Sequence, residues 1–540
     1  MKIVSAVFAD FAEPFLGGAS ALATPIAGES IIVRTLRRQA AITECDEHYL
    51  VVRPRDEALA RAAVAAASVG DRITVLPIDD GNRPRRELIR AARKWSLDSW
   101  RGTPLGTTWF DEYVEPLAVA RVLDHAQAFA ALCLDGCMPL LDVEIANGMV
   151  AYQRENADEA KFVFTQAPPG LAGIVLPREV TRELLETQSI LGHLLTYRPE
   201  APRMDLITRA PCFRIAAELA QNVGRVCGDT IASRRFVEAA IAANVGDATL
   251  ASIAAPRSNV PEEVELELTT RDPLADTTLR PRGDRVPGRE LVDIDAVARI
   301  ARELAAATDT SRLVLAGCGD PLLHPQFAET LAGIRAAGVC AVCVTTPLVE
   351  LTDRNLDALL SARVDTVEVL LDADTPETYA AVHRADQFDR VLANIERIQS
   401  ARRELHSPWP IVIPSITRCA AAFREIEPFF DRWIRAVGTA VIRGHSRYGG
   451  AIAADALPGM TPLVRGSCRR LDNRLTLLAD GRAIACDQDV AGTLSLGDWR
   501  RQSLSEIWHA TARKNLYQSH RRMDLSAYPV CVSCSEWNRA

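Results

Sequence analysis

The chain has 540 residues, 48 % of them hydrophobic and 24 % charged, with a formal net charge of −8. This length is too great for one hydrophobic core and predicts about three domains, and the ordinary composition excludes a disordered or fibrous chain. Mild acidity argues against a nucleic-acid surface, which needs clustered Lys and Arg to displace counterions, and Arg83, Arg85 and Arg86 read as a solvated face.

No apolar run is long enough to cross a bilayer, and Asp10 and Glu13 interrupt the N-terminus before a signal-peptide core could finish. A cytoplasmic protein with no membrane and no nucleic acid among its partners is expected. The 13 cysteines are an odd number in a reducing compartment, which points to metal or cluster ligation by a subset and away from a disulfide framework. Cys45, Cys212, Cys227 and Cys419 stand singly and read as small core residues.

In chain order, residues 1–250 alternate apolar β-like runs with helical patterns, the signature of a mostly parallel α/β sheet. KIVSAVFA, HYLVVRP, ITVLPI and AFAALCLDG read as strands, and SIIVRTLRRQAAI, EALARAAVAAASV and PLLDVEIANGMVAYQREN as helices. Asp142 stands where a helix N-cap belongs. The following stretch, with APRSNVP and RDPLADTTLRPRGDRVPGRE, is dense in Pro, Gly and charge, as boundaries and long loops are, and has the strand EVELELTT embedded in it. Five more strands follow in a regular β/α rhythm: SRLVLAG, CAVCVTT, TVEVLLDA, WPIVIPSI and TAVIRG. Six parallel strands predict a partial (β/α)6 barrel of TIM type with its functional loops at the strands' C-terminal ends. After Gly444 the rhythm stops and a Cys-rich tail begins, so the domains are read as 1–250, 251–445 and 446–540.

AGCGDPLLHP (316–325), after the second barrel strand, and VEVLLDADTPETYAAVHRADQFDRVLANIERI (367–398) resemble the radical-SAM superfamily. The resemblance implies a loop at Gly317, Gly319 and Asp320 that touches the amino group of S-adenosylmethionine. Where that family carries Cys-x3-Cys-x2-Cys, in ELTTRDPLADTTLRPRG, this chain has Asp272, Asp276 and Leu279. Three thiolates are needed to hold three irons of a [4Fe–4S] cluster and leave the fourth open; carboxylates are hard ligands and Leu is none. No radical-generating cluster is therefore expected. Asp272 and Asp276 read as loop caps. With Asp320 where the family has Glu, the loop reads as vestigial or repurposed and S-adenosylmethionine as a doubtful cofactor. Cys318, Cys340 and Cys343 read as core residues, since side chains three apart on a strand face opposite ways.

The tail offers Cys468, Cys486, Cys531 and Cys534, with Asp480-Gly481 between two apolar runs predicting a hairpin with a type I′ turn. Four thiolates, two of them at Cys-x2-Cys spacing, can ligate Zn²⁺ or one [4Fe–4S] cluster. The order of these cysteines, with LSLGDW and SLSEIW between them, resembles a SPASM domain, and the resemblance implies one [4Fe–4S] cluster, Zn²⁺ being the alternative.

FLGGASALATPIAGESIIVRTLRR, LCLDGCMPLLDVEIANGMV and QAPPGLAGIVLPREVTREL resemble nucleotide-sugar-type nucleotidyltransferases with a GT-A/Rossmann-like sheet. This implies a nucleotide loop at Gly17 and Gly18 and a Mg-nucleotide at Asp135, although Cys137 stands where the family has its Asp and no Lys or Arg lies between Phe15 and Glu29. The combined expectation is an iron–sulfur protein with a non-radical barrel, an accessory or repurposed member of a biosynthetic pathway with a small-molecule or peptide substrate and a partner enzyme. The alternatives are nucleotidyl transfer to a sugar-like or phosphonate-like acceptor, and radical chemistry with an unusual first cluster.

Overall fold

The computed structural model describes all residues except 80–82, 103, 200–209, 222–223, 244–258, 290 and 540. The boundary stretch read at APRSNVP lies outside the described residues as far as 258. The chain forms two compact units, Met1–Pro256 and Arg257–Ala540.

The first unit is built on β1 (Ile3–Ala9), β4 (Glu47–Val52), β5 (Ile73–Pro77), β6 (Ala130–Asp135) and β7 (Ile174–Pro177), with a small hairpin of β2 (Pro25–Ile26) and β3 (Glu29–Ser30) before the helix Ile31–Ala40. The sheet order is β5-β4-β1-β6-β7, parallel except for β7. Strands buried on both faces need unbroken apolar runs, which is what β1 and β6 supply: Ile3, Val4, Ala6, Val7, Ala130, Ala131, Leu132, Cys133 and Leu134 are fully buried. The helix Val143–Glu155 starts where Asp142 accepts the Ile145 N–H at 2.9 Å, an N-cap as the sequence suggests. Chain order reverses between β1 and β6, and the carboxyl ends of those strands form the crevice in which open α/β sheets bind ligands.

The second unit contains a nine-stranded sheet in the order β13-β12-β11-β10-β9-β8-β14-β15-β16. β8 (Glu263–Glu267), β9 (Arg312–Ala316), β10 (Ala341–Thr346), β11 (Thr366–Leu370), β12 (Ile411–Arg418) and β13 (Val441–Gly444) are all parallel, and the intervening helices begin at capping residues such as Asp293, Thr352 and Thr375. The tail's β14 (Arg474–Leu477) adds to β8 in parallel, and β15 (Arg482–Ile484) and β16 (Ser495–Asp498) follow antiparallel. One apolar core runs through both parts, from Val264 and Leu313 to Trp499, Ile507 and Leu516.

One local expectation is corrected. The β14–β15 loop runs from Leu478 to Gly481, closed by Gly481 N–H donating to Leu478 O at 3.0 Å, and Gly481 alone is left-handed, at φ +95°. A type I′ turn would need two such residues, so this is a type I turn followed by a left-handed glycine. The tail also holds more helix than its patterning announces, including Thr511–Arg522, whose polar composition hides the inward pair Leu516 and His520. Among the described residues no helix is long and apolar enough to cross a membrane.

Candidate functional site

The four tail cysteines come from separate elements, and Cys468 is a charge neighbour of each of the other three. Cys468 precedes the short helix Arg470–Asn473, Cys486 follows β15, and Cys531 and Cys534 lie on and just after the helix Pro529–Val532. Burial raises all four thiols, Cys531 to about 12, and Cys468 is a charge neighbour that raises Cys486, Cys531 and Cys534 further. Arg465 binds the Cys531–Cys534 turn, donating to Cys531 O at 2.6 Å, Val532 O at 3.1 Å and Cys534 O at 3.4 Å. Glu536 N–H donates to Cys534 Sγ at 3.3 Å, and backbone N–H groups of Arg470, Leu471 and Gln488 face Cys468 and Cys486. Among the described residues no three Cys, His, Asp or Glu side chains converge as ligands of a single ion.

The donor set can be tested for fit on its surroundings. Arg465 Nε and Arg470 Nε are buried with no hydrogen-bond partner in this structure, and Arg470 is a charge neighbour of Cys486. Orphaned buried donors are rare and costly. Four soft thiolates suit an iron–sulfur cluster or Zn²⁺, and Cys468 lies near enough to the other three to act on their charge, so the donor chemistry of the residues present fits that group.

At the carboxyl ends of β8 and β9 lie the positions that the sequence reading set against the cysteine motif. Asp272 accepts the Leu274 N–H at 2.8 Å with one oxygen and pairs with Arg282 Nε at 2.8 Å through the other; Leu279 is buried in the core; Asp276 is exposed. Gly317 and Gly319 are demanded by close packing, because a Cβ would lie 2.7 Å from Glu267 Cβ at the first position and 2.3 Å from Thr269 O at the second. Asp320 is fully buried, its N–H donates to Arg271 O at 2.8 Å, one carboxylate oxygen accepts Leu322 N–H at 3.1 Å and the other has no partner. Burial and the nearby Asp272 raise its pKa to about 7. Beside this loop Arg280 grips Asp372 at 2.6 and 3.1 Å, and although burial opposes it, Arg280 holds Asp372 at about 2. Cys318, Cys343 and Cys419 are buried and Cys340 partly so.

The crevice of the first unit holds a cavity of ≈ 130 Å³. Asp135, at the end of β6, lines it and accepts the Cys137 N–H at 2.5 Å. Burial and the charges of Asp229 and Glu112 push its pKa up to about 7. Arg225 binds Asp229 at 2.9 Å and Glu112 at 2.6 Å, and this guanidinium keeps Asp229 low against its burial. Gly17 and Gly18 are left-handed turn residues, at φ +87° and +79°, with open space where a Cβ would stand, and neither lines the cavity. The reading of Arg85 and Arg86 as a solvated face is corrected: their side chains are 12 % and 21 % exposed, both line the cavity, and they pair with Glu115 and Asp10 at 3.1 and 2.9 Å. Arg53 lines the same cavity. Sequence reasoning also missed Arg225 and Asp229; the signal available was the turn Cys227-Gly228-Asp229, of the same residue types as Asp135-Gly136-Cys137.

Comparison with known proteins finds two family matches, both in the second unit. The radical SAM superfamily matches residues 280–411, and the SPASM iron–sulfur cluster-binding domain matches residues 468–535. The chain therefore carries a radical SAM domain followed by a SPASM domain. Both families imply [4Fe–4S] clusters and the first implies S-adenosylmethionine, which speaks for that cofactor against the expectation drawn from Asp320. An uncharacterized protein of Treponema pallidum (strain Nichols) is 27 % identical over 289 residues, covering 52 % of this chain and 79 % of that protein. The GTP 3',8-cyclase of Chlorobaculum tepidum is 29 % identical over 210 residues, 31 % of this chain and 62 % of that enzyme. Among solved structures, SuiB of Streptococcus suis bound to its precursor peptide SuiA is 11 % identical over 66 % of this chain and 83 % of that chain, with a TM-score of 0.41.

Proposed function

We propose that this chain is an iron–sulfur protein in which Cys468, Cys486, Cys531 and Cys534 hold one [4Fe–4S] cluster while the six-stranded β/α array starts no radical, and that it serves as an accessory to a partner enzyme in a biosynthetic pathway. The observation that carries the reading is the fate of positions 272, 276 and 279: one carboxylate is closed on Arg282, one is exposed, and the third side chain is core. None offers a thiolate. The tail cluster would supply one-electron redox capacity or a structural staple, with Arg465 fixing the Cys531–Cys534 turn. What favours a cluster over Zn²⁺ is the match of residues 468–535 to the SPASM iron–sulfur cluster-binding domain.

Anaerobic purification with iron, sulfide and zinc analysis tests this. About four irons and four sulfides per chain are expected, one cubane held by four cysteines. About eight would mean a second cluster and return the array to radical chemistry; zinc without sulfide would overturn the cluster reading.

A second reading for the first unit rests on Asp135 facing Asp229 beside Arg225 at the sheet's switch point: a Mg-nucleotide site, with nucleotidyl transfer to a sugar-like or phosphonate-like acceptor as its activity. Asp135→Asn separates its cost from its use. An Asp raised to about 7 in the folded state binds a proton that the unfolded chain releases near pH 3.9, so folding loses stability as pH rises between those values. The Asn variant is expected to match the wild type near pH 4 and to exceed it by up to about 4 kcal/mol above pH 7 in urea unfolding of this unit. It should also abolish any rise in melting temperature produced by Mg-CTP or Mg-ATP, which at a hundred times its dissociation constant is worth about 2.7 kcal/mol. No nucleotide effect on the wild type would sink this second reading.

A further inference from the structure

The inner face of the six-stranded array is polar and partly open. On its helix-facing side, residues such as Val264, Leu266, Leu313 and Leu315 are 0 % exposed and belong to the core. On the opposite side Glu265, Val314, Ala316, Thr345, Glu368 and Arg443 are only partly buried. The strand register sets them side by side: Glu265 lies opposite Val314 on β9 and Thr476 on β14, and Thr345 on β10 lies opposite Glu368 on β11. A closed barrel of this type fills its interior with bulky branched side chains. A face left partly open and lined by charges is instead one that a ligand can occupy.

The charges there are paired, with one exception. Arg443 grips both oxygens of Glu368, Arg474 meets Glu263 at 2.6 Å, and Arg470 holds Asp487. Among the described residues no hydrogen bond or ion pair reaches the Glu265 carboxylate. Burial, and after it Asp487, push its pKa up to about 7, further than Arg474 and Arg470 pull it down. A carboxylate withdrawn from bulk water without a bound cation is costly, and an uncharged residue would fill this strand position without that cost. Glu265 stands two residues before Glu267, the last of β8, and so about 7 Å below the array's carboxyl edge, the edge at which such arrays carry their functional loops.

We propose that Glu265 anchors the ammonium or guanidinium group of a small-molecule ligand held on the inner face of the array, with Thr345 and the Glu368–Arg443 pair lining the same face. A cation completes the set of ion pairs, whereas an anion would have to break one of the three already made. The inference goes beyond the cluster reading and does not depend on it, since none of these residues is a cluster ligand.

The test is a ligand-observed NMR titration of the anaerobic full-length protein at pH 8, where Glu265 is ionised, with butylamine, agmatine and butyrate as probes. Wild type is compared with Glu265→Gln, which keeps the size and removes the charge, and with Glu404→Gln, a change at an exposed carboxylate on the helix Phe388–Glu404. Both cations are expected to bind wild type and the Glu404→Gln protein at millimolar concentration or below and butyrate to bind neither, while Glu265→Gln raises the Kd of both cations about tenfold, the scale of one charge-assisted hydrogen bond. Thr345→Leu, which narrows the face without touching a charge, should weaken both cations as well and replaces Glu265→Gln as the deciding variant if that protein does not fold. Equal affinity in wild type and a folded Glu265→Gln protein would overturn the proposal. So would tighter binding of butyrate, which would give the face to its arginines, or no binding of either cation to wild type. Iron and sulfide analysis of the same samples keeps a failure of the cluster reading separate from a failure of this one.

Discussion

Arg289→Met is expected to lower the stability of the second unit by about 3–5 kcal/mol, the cost of breaking a buried ion pair from one side. Glu267 at the end of β8 and Arg289 are 0 % and 1 % exposed in their side chains and meet in a two-pronged pair at 2.5 and 2.7 Å. Burial works against the arginine's charge, yet Glu267 holds its pKa above the ordinary value. The same carboxylate accepts Cys318 N–H at 3.0 Å and Ala479 N–H at 3.3 Å, and Arg289 also donates to Val490 O at 2.9 Å. One pair therefore ties β8 to the Gly317–Gly319 loop and to the tail hairpin. Removing the guanidinium leaves a carboxylate in the core with only neutral donors. The double variant Glu267→Gln/Arg289→Met removes the stranded charge and keeps an oxygen for one of Cys318 N–H and Ala479 N–H, which bind different oxygens of Glu267, so it should recover part of the loss. Urea unfolding of the three proteins checks both expectations; a single variant within about 1 kcal/mol of wild type, the scale of an exposed pair, would show that the pair does not carry this weight.

What the sequence disclosed follows the range over which each feature is determined. β10 and β6 are legible because AVCVTT and AALCLD are apolar, β-rich runs whose neighbours along the chain announce them. Asp142 is legible because a cap acts within three residues. The tail cysteines are legible because their spacing is set by local turns, even though the turn at Gly481 belongs to another type. Arg85 and Arg86 were not legible: an arginine reads as solvated until its partner is known, and Asp10 stands 76 positions from Arg86. Arg225 and Glu112, 113 positions apart, likewise meet only in the folded unit. The parallel pairing of β14 with β8 is also silent in sequence, since β14 is four residues long and its partner precedes it by some two hundred positions. The closing of Asp272 by Arg282 falls between these cases: Asp272 is visible as a loop residue by its position before Pro273, but which group its second oxygen meets is a matter of side-chain packing.

Cys531→Ser/Cys534→Ser is expected to reduce iron and sulfide from about four to below about one per chain, because two thiolates cannot hold a cubane that needs four. The unliganded thiols are all raised by burial, Cys531 to about 12, so near neutral pH they are protonated until a metal takes them. Cluster binding must then release protons and weaken as pH falls, and the wild-type protein should lose iron more readily at pH 5 than at pH 8. Binding energy at such a site is also folding energy. Without it, the Cys531–Cys534 turn keeps Arg465 as its clamp, but the orphaned donors and buried thiols remain uncompensated. Hydrogen exchange should consequently quicken in the helix Thr511–Arg522 and in the segment before Cys468, while β8 to β13 and the first unit exchange as in the wild type, local opening being confined to the region that lost its contacts. Cys343→Ser, a buried change within β10, serves as the control and should keep full iron. If instead the double variant retained about four irons and the Cys343→Ser protein lost them, the cluster would belong to the β/α array, and the meaning of Asp272, Asp276 and Leu279 would have to be reversed: the array would carry a cluster built from thiols outside the usual motif, and the tail would be the part without one.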